Sequence, residues 1–152
     1  MNELLELAER VEKAEGPDRE LDCLLYEMDE LRSTGVRLNL VPKMRGTYYG
    51  EPTGRYFDVS GPEPLELPYN APASTASIDA AMSLVPEGWE GALYWGIEAY
   101  PPEAQLETWQ MRRDMGEAFE PIKGTAKTPA LALCAAALRA RASMETSDVD
   151  AT

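Results

Sequence analysis

A chain of 152 residues, 44% of them hydrophobic, is long enough for one domain with a sizeable core and too apolar for a disordered segment. Its 27 acids against 14 bases leave a net charge of −13, which repels phosphate backbones and argues against a large nucleic-acid interface. There is no histidine, which removes the commonest general base and the commonest metal ligand, and with them any Ser-His or Cys-His nucleophile pair.

The acids concentrate at the two ends. Residues 1–31 hold eleven carboxylates against Arg10, Lys13 and Arg19, and Glu145, Asp148 and Asp150 close the chain, so the middle is near neutral. The start, MNELLELAER, has no basic n-region and is not expected to be a secretory leader. No run of about 18 apolar residues occurs, so no membrane-spanning helix is expected. Cys23 and Cys134 fall in predicted helices, outside any CxxC or ligand spacing, and read as small buried thiols in a reducing cytoplasm.

In chain order, Asn2–Glu15 predicts an amphipathic helix burying Leu4, Leu7, Ala8, Val11 and Ala14. Gly16 ends it, and Pro17 with Asp18 opens a second helix carrying Leu21, Leu24, Leu25, Met28 and Leu31. Residues 36–73 form a Pro/Gly-rich insertion. In it Val36–Leu40 alternates like a short strand closed by Pro42, and Thr47–Tyr49 pairs with Arg55–Val59 as a hairpin around GEPTG. Thr75 caps a helix running to Val85. Three strands follow, Ala92–Tyr100, Gln105–Arg113 and Ala118–Ala126, with Trp95 opposite Met111 and Ile97 opposite Trp109. Leu93, Trp95, Ile97, Trp109 and Met111 then share the face that the last helix covers.

That helix, Thr128–Ser143 (TPALALCAAALRARAS), is the clearest element. Thr128 caps it, Pro129 takes its first position, and Ala and Leu fill it. Leu131, Cys134, Ala135, Leu138 and Ala142 form one face. Leu133, Ala136, Ala137 and Ala140 form a second, which either meets another layer of the fold or offers a homodimer contact. Residues 144–152 read as an acidic disordered tail. The fold class is therefore α+β, one domain over 1–143, with a three-stranded antiparallel meander sandwiched by helices in α/β/α layers. The N-terminal helices are expected on the second face of the sheet or on the Ala face of the last helix.

The stretches TASIDAAMSLVPEGW and TPALALCAAALRARA, with LAERVEKAEGPDRELD near the start, resemble the phage ABA sandwich domain family. The resemblance implies a layered α/β/α domain, a phage origin and the host cytoplasm. It carries no activity and no functional residue.

Chemistry is sparse. No GxGxxG or GxxxxGK[ST] motif is present, and no cofactor or metal site is expected. Carboxylates are the remaining catalytic option: Glu98 and Glu107 are expected near one end of the first hairpin, while Glu117, Glu120 and Lys123 lack nuclease spacing. Helix, three strands, helix is also the order of a double-stranded RNA-binding domain, but the last helix starts Pro129-Ala130-Leu131 without a basic residue. The leading expectation is a non-catalytic phage accessory protein that binds a host protein with a basic surface, an anti-defence inhibitor being one form. Glu6, Glu9, Glu12 and Glu20 are its outward carboxylates. The alternative is a nucleotide-like small-ligand module using Tyr48, Tyr49, Tyr56, Trp89 and Tyr94 for stacking, with Arg55, Arg112 and Arg113 for anionic groups.

Overall fold

The computed structural model describes residues 2–45, 51–67 and 72–150. The described residues form an α+β fold of five α-helices and two three-stranded antiparallel sheets. The last helix, α5 (Pro129–Asp150), is its axis. Thr128 accepts a hydrogen bond from Leu131 N at 3.2 Å and Pro129 is the first helical residue, as TPALAL predicts. The helix does not stop at Ser143 but runs through the expected tail to Asp150. Glu145 is held there by Arg32 at 2.6 Å, an anchor from a distant helix that no local pattern reveals.

Every side chain of α5 from Ala130 to Ala142 is buried except Arg139 and Arg141, which are half-buried. Both apolar faces are therefore closed within the chain, including Leu133, Ala136, Ala137 and Ala140, so that face is not free for a homodimer contact. A helix apolar all round must be enclosed on all sides. Helix α1 (Glu3–Lys13) packs along it, burying Leu4, Ala8 and Val11. On another side lies α3 (Ile78–Met82), beside which Arg141 Nε donates to Leu84 O at 2.8 Å. The Arg141 guanidinium also meets Asp29 of α2 (Arg19–Thr34) at 3.0 Å. Asn2 caps α1 and Asp18 caps α2, whose end is turned by Gly35 in the left-handed region at φ 77°.

In the first sheet, β1 (Leu40–Arg45) pairs with β2 (Glu51–Asp58), and β2 with β3 (Leu65–Glu66). The strand expected at Val36–Leu40 begins instead at Leu40 and passes through Pro42. It does so because β1 is an edge strand whose register shifts between Pro42 and Met44. Glu51–Gly54 of GEPTG belong to β2 rather than to a turn. Thr47–Tyr49 lie outside the described residues.

The second sheet is the expected meander, β4 (Trp89–Tyr94), β5 (Glu103–Thr108) and β6 (Ile122–Thr125). Its register is not the expected one. Trp89 lies opposite Thr108 and Tyr94 opposite Glu103, so Trp95–Pro102 is a loop. The segment Trp109–Met115, of which Trp109–Arg113 is expected as strand and Asp114–Met115 as connection, is helix α4. Thr108 accepts from Met111 N at 3.1 Å to start it, and Gly116 ends it. The alternation of Trp109 and Met111 mimicked a strand, while Gln110, Arg112, Arg113 and Met115 are good helix formers.

The sheet turns Trp89, Leu93, Ala104, Leu106 and Ala126 toward the core. There α5 comes unusually close. A Cβ on Gly124 would sit 2.3 Å from Ala132 O and 2.4 Å from Ala136 N, so glycine in β6 and alanine in α5 set the spacing together. Of the two places open to the N-terminal helices, α1 takes α5, with its Glu12 reaching the β6 edge, and none of the described helices covers the outer face of the sheet.

Candidate functional site: the outer face of the second sheet

Residues opposite one another in an antiparallel pair share a face. The outer face therefore carries Glu90, Ala92 and Tyr94 from β4, Glu103, Gln105 and Glu107 from β5, and Lys123 and Thr125 from β6. At the Tyr94 end the loop 95–102 folds into a rim, with Gly96 in the left-handed region at φ 84° and Tyr100 N donating to Ile97 O at 3.1 Å. Rim and sheet enclose an open groove of about 350 Å³ lined by Tyr94, Trp95, Ile97, Tyr100, Glu103 and Gln105, among others. The large apolar side chains here are exposed: Tyr94 50%, Trp95 62%, Ile97 55% and Tyr100 70%. Gln105 Nε2 donates to Glu103 Oε2 at 2.7 Å, which orients the carboxylate in the groove.

At the opposite end of the face Glu107 and Glu90 are cross-strand neighbours. The paired carboxylates are thus Glu90 and Glu107, not Glu98 and Glu107. Arg112 holds Glu107 at 2.6 Å and lies 5.0 Å from the Phe119 ring. Its hydrogen bonds to Glu107, then the negative charge of Glu107, raise its pKa further. Glu107 and Arg112 thus form an ion pair at this end of the face. Arg113 pairs with Asp114 at 2.9 Å and stacks 5.0 Å from Trp109, itself 66% exposed.

The two free edges of this sheet differ. On β6, Thr125 N donates to Glu12 Oε2 at 2.9 Å, and Arg139 Nη1 donates to Lys123 O at 3.0 Å while also pairing with Glu12. Burial pushes the Glu12 carboxyl up, but the bonds from Arg139 and Thr125 outweigh it and leave the pKa lowered. Glu12 is therefore a lock on the sheet edge, not an outward recognition residue. Glu6, Glu9 and Glu20 are exposed, as expected.

The described members of the suspected ligand set do not converge. Tyr56 is fully buried and packs edge-on against Tyr26 at 5.6 Å, anchoring the first sheet to α2. Trp89 is half-buried against the core, and Tyr94 alone of the set lines the groove. Arg112 and Arg113 are engaged by Glu107 and Asp114. Tyr48, Tyr49 and the Arg55 side chain lie outside the described residues. The sequence pattern places Trp95, Ile97 and Tyr100 in a strand, with Trp95 and Ile97 on its core side, whereas the structure places them in the loop 95–102. The signal against the strand was Gly96 and the Pro101-Pro102 pair, which break it after Tyr94.

Buried chemistry elsewhere is structural. Asp22 Oδ1 accepts from Thr75 N and Thr75 Oγ1, both at 2.8 Å, and Oδ2 meets Arg19 at 2.9 Å. Burial pushes its carboxyl up against these bonds. With its hydroxyl committed to α2, Thr75 is not the cap of α3, and Ser77 takes that role. Burial raises the thiols of Cys23 to about 11 and Cys134 to about 12, so neither is a nucleophile near neutrality. Among the described residues no group of three or more Cys, Asp or Glu is placed to hold a metal, and no helix is long and apolar enough to cross a membrane. Compared with known proteins, the chain matches no family model, no curated protein and no solved structure.

Proposed function

We propose that this chain is a non-catalytic protein-binding module, a phage accessory protein that engages a host protein, and that it does so with the outer face of its second sheet. The observation that carries the reading is the cluster of Tyr94, Trp95, Ile97 and Tyr100, exposed together around one groove. Large solvent-facing aromatics grouped on one surface mark interfaces, and Tyr and Trp are the residue types that dominate binding energy there. The net charge of −13 favours a partner with a basic surface and speeds the encounter. An inhibitor of antiviral defence in the host cytoplasm is one form of this function. The small-ligand alternative loses support, because among its described residues Arg112 and Arg113 are engaged and Tyr56, Trp89 and Tyr94 are dispersed.

The test is affinity capture from bacterial lysate with the wild-type chain and the Trp95→Ala/Tyr100→Ala double variant, at low and high salt. A specific protein retained by the wild type, released above physiological ionic strength and lost in the variant is the expected result. Identical capture by both chains removes the groove as the binding surface.

A further inference from the structure

We propose, building on the protein-binding reading, that the partner enters as an extended basic segment added as a fourth strand along the free edge of β4. The argument begins with strand alternation. Lys123 O and Thr125 N are taken by Arg139 and Glu12, so the backbone groups of those residues point away from β5 and those of Gly124 point toward it. Alternation carried across the sheet turns Ala104 toward β6, and Gln105 and Glu103 toward Ala92 and Tyr94. Gly91 and Leu93 then present their N–H and C=O groups outward from β4. The neighbouring Trp89 N–H, also outward, is closed by Pro86 O at 3.2 Å. Among the described residues nothing closes Gly91 and Leu93.

Edges of this kind template pairing unless they are protected by lysine, proline, a bulge or a covering element. The β6 edge has such protection in Glu12 and Arg139. Among the described residues the β4 edge has no covering element; its sequence, WEGALY, is free of Lys and Pro with Glu90 its one charge, and its pairing with β5 is unbroken. It also leads into the aromatic groove, because Tyr94 belongs to both. Main-chain bonds supply affinity in strand addition, and alternate side chains supply selectivity.

The occupant follows from charge. On the outer face the added strand would run beside Glu90, Ala92 and Tyr94. Its outer side chains are therefore basic, pairing with Glu90 at one end and stacking as cations over Tyr94 and Trp95 at the other. A second copy of the chain would bring another −13 and another Glu90 to the same edge, which disfavours self-pairing.

The probe is a short fluorescent peptide of alternating arginine and valine, read by anisotropy against the intact chain. It is made unmodified, N-methylated on every valine, and N-methylated on every arginine. With arginines outward beside Glu90, an antiparallel added strand bonds through its valines. N-methylated valine then weakens binding by about tenfold or more while N-methylated arginine does not. Loss confined to the arginine frame supports parallel addition at the same edge. Glu90→Lys, an exposed substitution, weakens the unmodified peptide by about tenfold.

Equal affinity in both frames, equal loss in both, or no binding of the unmodified peptide overturns strand addition. The capture experiment with Trp95→Ala/Tyr100→Ala judges the protein-binding reading separately. A dimer of the free chain with the Gly91 and Leu93 amides protected from hydrogen exchange would give the edge to a second copy, and overturn the partner-strand assignment.

Discussion

Along α5 the side chains are small and closed in: from Ala130 to Ala142 nothing apolar is exposed. In the loop 95–102 and in α4 they are large and turned out, with Trp95, Ile97, Tyr100 and Trp109 all more than half exposed. Small residues line the contact of α5 with β6 because the two meet almost backbone to backbone at Gly124, leaving no room there for anything longer than alanine. The aromatics are left outside because nothing among the described residues covers the outer face of the sheet. Apolar surface held in water costs stability, and its concentration at one groove is what an interface requires.

The largest effect is expected inside the first region. Leu138→Asp places an unpaired carboxylate at a site with no solvent exposure and should cost about 4–5 kcal/mol or more, a large part of an ordinary domain's stability. Loss of a cooperative thermal transition is the expected readout. A variant that melts like the wild type would remove α5 from the centre of the fold.

Next is Gly124→Val, which forces β6 away from α5. Overpacking of this kind costs about 1–3 kcal/mol, sometimes more, and should appear as a lowered urea midpoint. If the midpoint is unchanged, the close approach is not a constraint.

Glu12→Gln tests the lock on β6 through pH. The Glu12 carboxyl titrates below its ordinary value in the folded chain, so its contribution is present above the unfolded glutamate pKa and lost as pH falls through the lowered folded pKa. Urea midpoints followed from about pH 6 to about pH 3 should therefore converge between wild type and Glu12→Gln as acid is added, the wild type being the more stable at the upper end. Parallel curves would mean that Glu12 has no stake in the edge.

The smallest effect on stability belongs to the second region. Trp95→Ala and Tyr100→Ala should each change unfolding free energy by no more than about 0.5 kcal/mol, because these side chains bury little. Their signature is lost binding at unchanged stability, and a large loss of stability would instead place them in the core.

The sequence by itself determined the local elements. Thr128-Pro129 and the alanine run state a helix without reference to anything else, and the periodicity of Leu4, Ala8 and Val11 states another. It also determined the fold class, the three-strand meander and the burial of both cysteines. Tertiary structure decided everything that depends on what lies opposite. The meander's register turned on Gly96 and Pro101-Pro102 ending β4 early, and on a helix starting at Thr108 where alternation suggested a strand. Glu12 reads as one more solvent carboxylate until Arg139 and Thr125, more than a hundred positions away in the chain, are placed beside it. Thr75 reads as a helix cap until Asp18 and Asp22 claim its hydroxyl. The candidate site was hidden for the same reason. Gly96 and Pro101-Pro102 signal locally that β4 ends early, but whether Trp95 and Ile97 then face the core or water depends on which side of the sheet α5 occupies, which no residue near them encodes.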